Sequence, residues 1–418
     1  MSRKLLVENI FSLFVVQATN YLLPLVTFPY LVRTLGFEFF GLFSFALAFI
    51  QYFVVFVDYG YNLTATRQIA LIRDDRERLG SFFSTVLFVK LALMVACFGI
   101  VVLIVSHFQK FQVHADLYLI SFLAVVGNVL YPIWFLQGME RIKLIAAINF
   151  VVKLATTILI FICVRAPHDV TLAVLIQSSG SLLSGILSTV FVFASYRIAV
   201  TLPSLRDMVL SVRDGFTVFV TVISSTLFNT TAIVILGLFC SDTVVGQFSI
   251  AEKIIRVFIN FISPVSVAVF PRVGSVMRRS REEGVRLLRS VLGYGVVAFL
   301  LASTGIFLFA DQAVRIISGS WSPETATYLR IIALLPATVF MDNIYGTQLL
   351  VNIDRTTQFM KSVLFPGMAS VVLSFLFVPV GKAYASSIIY LCSELAVLVM
   401  MVYYTRREGI LLMPALRI

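Results

Sequence analysis

The sequence predicts an all-α integral membrane protein: twelve transmembrane helices in two parallel six-helix bundles. Three observations carry this. The 418 residues are 60% hydrophobic and 13% charged, with mean hydropathy +0.99, too apolar for a soluble globule. The apolar residues fall in twelve segments, each long enough for ~30 Å of hydrocarbon at about 1.5 Å per residue. The basic residues gather in alternate loops, as topology requires.

The predicted spans are 8–33, 38–61, 81–106, 116–137, 144–164, 170–194, 215–238, 244–270, 291–311, 327–352, 361–380 and 383–404. The first is too long for the apolar region of a cleavable signal and lacks an Ala-x-Ala site, so no such signal is expected. It carries Gln17, Thr19, Asn20 and Thr27, and Pro24 and Pro29 predict a bend. Glu8 lies at its inner mouth. Span 7 is rich in small polar residues, from Thr217 and Thr221 through Ser224, Ser225, Thr226 and Asn229 to Thr230 and Thr231. These read as close helix packing before they read as a sugar-contacting surface.

With the N-terminus inside, twenty-two of the 32 Lys and Arg fall on inner segments. They include Arg3 and Lys4, the Arg73–Arg78 loop, the Arg278–Arg281 loop and Arg417. Six fall outside: Arg33, Lys110, Arg165, Arg315, Arg330 and Lys382. This positive-inside bias places both termini in the cytoplasm and accounts for a net charge of +11. The basic loops read as topology and anionic lipid contact, and no nucleic-acid partner is expected. Cys97, Cys163, Cys240 and Cys392 have neither zinc-finger nor redox-motif spacing. His107, His114 and His168 are scattered over outer loops, and neither a metal nor a cofactor is expected.

A constant offset of 205 residues aligns span 1 with span 7 and span 2 with span 8. Phe11-Ser12-Leu13-Phe14-Val15 matches Phe216-Thr217-Val218-Phe219-Val220, and Gly41-Leu42-Phe43-Ser44 matches Gly246-Gln247-Phe248-Ser249. Six spans per half bring both halves in from the same side, so the repeats are parallel. The predicted domains are an N-terminal bundle, 1–200, and a C-terminal bundle, 201–418, joined by the polar stretch 195–214.

Span 8 holds the sharpest candidate site. Ser249, Glu252, Lys253, Arg256, Asn260 and Ser263 recur at steps of three and four, on an arc roughly 100° wide. A charge at the bilayer centre costs at least ~2.5–3.5 kcal/mol, so this face must meet a water-filled cavity or another polar surface. Their repeat partners in span 2 include Leu47, Ala48 and Gln51, which are uncharged, so the shared framework does not itself demand the charges. Lys253 and Arg256 suit an anionic substrate, with Asn260 beside them. Lys90 and Lys153 lie within spans 3 and 5 and read either as cavity cations or as snorkelling side chains. Arg33 is either a further substrate contact or an interfacial anchor. Asp342 and Glu394, near the centres of spans 10 and 12, are candidate ion-coupling carboxylates, with Glu252 and Asp58 after them. A buried pair or a neutral acid is an equal alternative. Asp58 pairs with Arg67 or caps locally. Asp311 and Arg315, at i,i+4, predict a local pair. Tyr131, Trp134, Tyr403 and Tyr404 read as interfacial belt residues.

Three motifs resemble those of the Wzx-type O-antigen flippases. They are Asn20-Tyr21-Leu22-Leu23-Pro24-Leu25-Val26-Thr27-Phe28-Pro29-Tyr30-Leu31-Val32-Arg33-Thr34-Leu35-Gly36, Asp58-Tyr59-Gly60-Tyr61-Asn62-Leu63-Thr64-Ala65-Thr66-Arg67, and Pro132-Ile133-Trp134-Phe135-Leu136-Gln137-Gly138-Met139-Glu140. The resemblance implies the MATE-like fold of the multidrug, oligosaccharidyl-lipid and polysaccharide exporter superfamily. It implies transfer of an undecaprenyl-diphosphate-linked oligosaccharide between leaflets of a bacterial inner membrane, through a cationic cavity, by alternating access coupled to an ion gradient. It also brings membrane lipids, a polysaccharide polymerase and chain-length machinery as partners. Rival readings are a related exporter of drugs or small metabolites, whose cavity would be less cationic, and a membrane polymerase or glycosyltransferase. The short outer loops and the lack of an Asp-x-Asp motif argue against the latter.

Overall fold

The computed structural model describes the backbone of residues 3–412 and the side chains of residues 23–223, 226 and 230–412. The side chains of Glu8, Gln17, Thr19, Asn20, Ser224, Ser225 and Asn229, and all of Arg417, lie outside the described residues. The described residues are almost wholly helical and contain no strand. Nine helical stretches among them are long and apolar enough to cross a membrane. The count departs from twelve partly because predicted neighbours run together. Leu23–Ile72 and Thr356–Arg407 each cover two predicted spans. The joints are single non-helical residues, Gly36 (φ 71°, ψ 176°) and Lys382 (φ 49°, ψ −138°). Gly36 reaches that backbone conformation without steric cost. The first helix runs on through Pro24 and Pro29, so its break comes at Gly36 and not at the prolines.

The chain divides into two compact units, Met1–Thr226 and Leu227–Ile418. The first contains α1 (Arg3–Asp58), α2 (Tyr61–Ile72), α3 (Arg76–His107), α4 (Gln109–Gln112), α5 (Ala115–Ser121), α6 (Leu123–Leu130), α7 (Ile133–Gly138), α8 (Ile142–Cys163), α9 (Val170–Tyr196) and the start of α10 (Leu205–Phe239). Asp75 caps α3, accepting from the backbone N–H of Glu77 and Arg78 at 3.1 Å each. Helices α6 and α9 meet backbone to backbone at Gly127, Ser181 and Gly185, the close approach that small residues permit. The core gathers Phe83, Trp134 and Phe135 with Tyr61, Ile69 and Leu136. Trp134 is thus buried against Phe83, with ring centroids 5.4 Å apart, and Tyr131 packs on the same cluster. This corrects the belt reading of both: an aromatic near a span end also serves an interior when neighbouring helices offer it a pocket. Tyr403 remains exposed.

The second unit contains the rest of α10, then α11 (Asp242–Asn260), α12 (Ile262–Arg279), α13 (Arg281–Leu308), α14 (Ala310–Ser318), α15 (Pro323–Ile332), α16 (Leu335–Asp342), a π-helical stretch Asn343–Leu350, and α17 (Thr356–Arg407). Its core is built on Leu288, Leu292, Phe340, Leu349, Val397 and Met401, with Phe299 stacked on Phe340 at 4.8 Å. At the C-terminal end of the chain a strap closes over it. Arg355 pairs with Glu408 through Nε at 2.7 Å and Nη2 at 3.1 Å. Arg289 donates to the Leu411 carbonyl, while Ile410 and Leu412 are buried.

Predicted span 8 is two helices. The break falls at Phe261, between α11 and α12. Pro264 explains it: proline has no N–H for the Asn260 carbonyl and its ring clashes there, but it is tolerated in the first turn of a new helix. Ser263 therefore leaves the stripe and belongs to α12.

Candidate functional site

In the first unit, α1 ends at Asp58, and the chain turns through Tyr59 (φ 49°) and Gly60 (φ 76°) into α2. Gly60 is the N-cap and offers no side chain, and the Asp58 carboxylate lies close to the backbone N–H groups of Gly60 and Asn62. A Cβ on Gly60 would meet Val218 Cγ1 at 2.8 Å and the Phe219 backbone N at 3.2 Å. The same turn stacks Tyr59 on Phe219, with centroids 4.5 Å apart and planes 8° apart. Tyr61 shares a hydrogen bond with Ser211 at 2.9 Å.

Lys90 on α3 reaches this turn. Its Nζ lies 3.6 Å from Asp58 Oδ1 and donates to the Asn128 carbonyl at 2.9 Å. Its side chain is only 1% exposed. Lys90 is thus neither a snorkelling residue nor an open cavity cation: the Asp58 carboxylate and one carbonyl engage its ammonium away from solvent. Asp58 pairs with Lys90 and not with Arg67. Arg33 is exposed on α1 and Lys153 half-buried on α8, and neither enters the electrostatics of the Asp58–Lys90 pair.

In the second unit, the α11 stripe is covered at its start and open at its end. Ser249 and Glu252 are buried, while Lys253, Arg256 and Asn260 are half-buried. Arg256 clasps Glu252 one turn away through two nitrogens, Nε at 2.5 Å and Nη2. The Glu252 side chain is 7% exposed and that of Arg256 is 37%. Lys253 feels both charges. The Arg256 charge also reaches Tyr390 and Glu394 on α17.

Asp342 and Glu394 are both buried and face one another. Among the described residues neither oxygen of Asp342 meets an N–H or hydroxyl donor. Two carboxylates packed together away from water share a proton rather than both ionise. Asp342 ends α16 where the π-helical stretch begins. There Gln348 Nε2 donates to Ser266 Oγ at 2.8 Å and to its carbonyl at 3.1 Å, and Asn343 Nδ2 donates to the same Oγ at 3.1 Å. Tyr390 and Gln348 escaped the sequence reading. Tyr390 was legible only as the residue one turn before Glu394, and Gln348 gave no signal.

Around α14 and α15 Asp311 pairs with Arg330 at 2.5 Å and accepts from the Trp321 indole at 3.4 Å. Arg315 instead lies over the Trp321 ring, 5.8 Å from its centroid. The predicted Asp311–Arg315 pair is replaced because α15 brings a better-aligned cation.

The model of the family described as "Polysaccharide biosynthesis protein" matches residues 6–277. The chain belongs to that family. The chain is 34% identical over 404 residues to an Escherichia coli (strain K12) protein named "Putative O-antigen transporter", covering 97% of each chain. A Shigella dysenteriae protein of the same name is 27% identical, over 82% of this chain and 86% of its own. Among solved structures, the lipid II flippase MurJ in an inward closed conformation superposes with a TM-score of 0.73 at 12% identity, over 97% of this chain and 88% of its own. An inward-facing multidrug resistance MATE family transporter of the MOP superfamily gives 0.69 at 16%, over 96% and 98%. At those identities the likeness is one of fold, a MATE-like helical fold whose apolar helices suit a multi-pass membrane protein.

Proposed function

We propose that the protein is a flippase for a lipid-linked oligosaccharide. It would move an undecaprenyl-diphosphate-linked O-antigen-type unit from the cytoplasmic to the periplasmic leaflet of a bacterial inner membrane, with both termini cytoplasmic. It is a transporter and makes no bonds. The motion is alternating access, and a polysaccharide polymerase with its chain-length machinery takes the product.

One observation carries the reading: Arg256 is half-open while its counter-ion Glu252 is buried beneath it. The carboxylate fixes the guanidinium and leaves an edge for an incoming anion. A diphosphate is the charge common to all such substrates, and arginine meets it with a two-pronged fork. Lys253 adds a point charge and Asn260 a polar rim. In the first unit Arg33 and Lys153 remain candidate substrate contacts, while Lys90 and Asp58 hold one another. Ion coupling falls to the Asp342–Glu394 pair, whose proton is gained and lost over the cycle; Glu252, clasped by Arg256, is the poorer carrier.

The test is surface polysaccharide in a strain depending on this protein, read beside its membrane level. Arg256→Ala should abolish the polysaccharide at normal protein level, and Arg256→Lys should restore part of it. The double change Glu252→Gln with Arg256→Gln should be inactive. Full export by that double variant would mean that Arg256 serves only to neutralise Glu252.

A further inference from the structure

The second unit contains a small cavity of about 10 Å³, enough for one water. Six of its lining residues carry hydroxyls: Thr231, Ser370, Ser374, Ser386, Tyr390 and Ser393. No carboxylate lines it, so a bare cation would find no counter-charge there. Ser370 Oγ already donates to the Gly367 carbonyl at 2.8 Å. Ser386 is 1% exposed, and its Oγ has no hydrogen-bond partner among the described residues. An orphaned buried hydroxyl facing a polar, water-sized space is what a structural water repairs.

The cavity's position on α17 gives that water a use. Ser386, Tyr390 and Glu394 stand at i, i+4 and i+8, on one face of the helix. Side chains on a helix lean toward its N-terminus, so Glu394 leans toward the Tyr390 turn and Tyr390 toward the Ser386 turn. The charged groups around Tyr390 are Glu252 and Arg256 from α11 and Glu394 from its own helix. Asp342 from α16 faces Glu394.

We propose that this cavity is a buried water site and that Tyr390 relays protons between it and the Asp342–Glu394 pair. The transfer is one concerted hop. The tyrosine hydroxyl gives its proton to the carboxylate pair and takes another from the cavity water, which recovers one from solvent. No electrons move, and nothing but the proton changes place. The concerted order avoids a discrete tyrosinate beside a carboxylate. The proposal rests on the coupling role given to Asp342 and Glu394 above.

The test needs no transport substrate. Purified protein in lipid is moved into heavy water while the infrared carbonyl stretch of protonated carboxyl groups is followed. The band belonging to the pair is identified by its loss in Asp342→Asn and Glu394→Gln. Tyr390→Phe keeps the ring and removes the relay, and Ser386→Val fills the water site with a methyl. Each should slow deuteration of that band roughly a hundredfold. Either variant suffices if the other does not fold. Unchanged exchange rates in a folded variant would overturn the relay and leave the coupling pair standing. Absence of any such band from the unchanged protein would overturn both.

Discussion

Lys90 and Asp58 form an ion pair across 3.6 Å in which the lysine side chain is 1% exposed and the aspartate side chain 11%. The two come from α3 and the end of α1, so the pair ties the turn before α2 to the body of the first unit. Asp58→Asn strands a buried ammonium and should cost about 3–5 kcal/mol. Thermal unfolding in detergent checks it. Adding Lys90→Met should recover most of the loss, because the cost lies in the orphaned charge and not in the missing attraction.

The α6–α9 contact is set by glycine. A Cβ at Gly127 would meet the Leu182 backbone N at 2.5 Å, and one at Gly185 would meet the Gly127 carbonyl at 2.5 Å. Backbone cannot step aside as a side chain can. Gly127→Ala and Gly185→Ala should each cost roughly 1–3 kcal/mol. Gly99→Ala, where a Cβ meets nothing within 4 Å, should be neutral or slightly stabilising. Melting temperatures of the three variants separate these outcomes.

Ser266 accepts from both Asn343 and Gln348. Gln348 is fully buried and keeps only the Ser266 backbone carbonyl at 3.1 Å as its acceptor on that residue in Ser266→Ala, while the bonds from Gln348 and Asn343 to Oγ are lost at the π-helical turn. A cost of about 1–3 kcal/mol is expected, with faster hydrogen exchange over 343–350 as the local readout.

Asp311 titrates below the ordinary carboxylate range, chiefly because the Arg330 guanidinium donates to it, with the Trp321 indole N–H second. A carboxyl depressed in the folded state stabilises above its unfolded pKa of about 3.9. That contribution is lost as pH falls through the lower folded value. Trp321 emission should therefore hold steady down to about pH 4 and change in more acidic solution. In Asp311→Asn this acid step should vanish. A step persisting in the variant would assign it to another group.

Local patterns were legible and distant pairings were not. The all-helical, apolar character and the α11 stripe could be read because each is written in consecutive residues. Pro264 was legible too and went unread: its missing N–H splits α11 from α12. Asp58 and Lys90 lie thirty-two positions apart and Asp342 and Glu394 fifty-two, with no spacing rule to connect them. Only packing decides which buried charge meets which. Trp134 shows the same limit from the apolar side, since interface and interior both reward an aromatic near a span end.

The predicted repeat and the compact units divide the molecule at different places. The repeat begins its second copy near residue 215, whereas the first unit runs to Thr226. The first turns of α10 therefore count with the second half in the predicted repeat but pack with the first unit: Phe219 lies on Tyr59, and Gly60 leaves room for Val218. A gene cut near residue 215 would strip the Tyr59 ring of its cover and leave that fragment sticky. Two separately encoded halves would reassemble best if severed past Thr226.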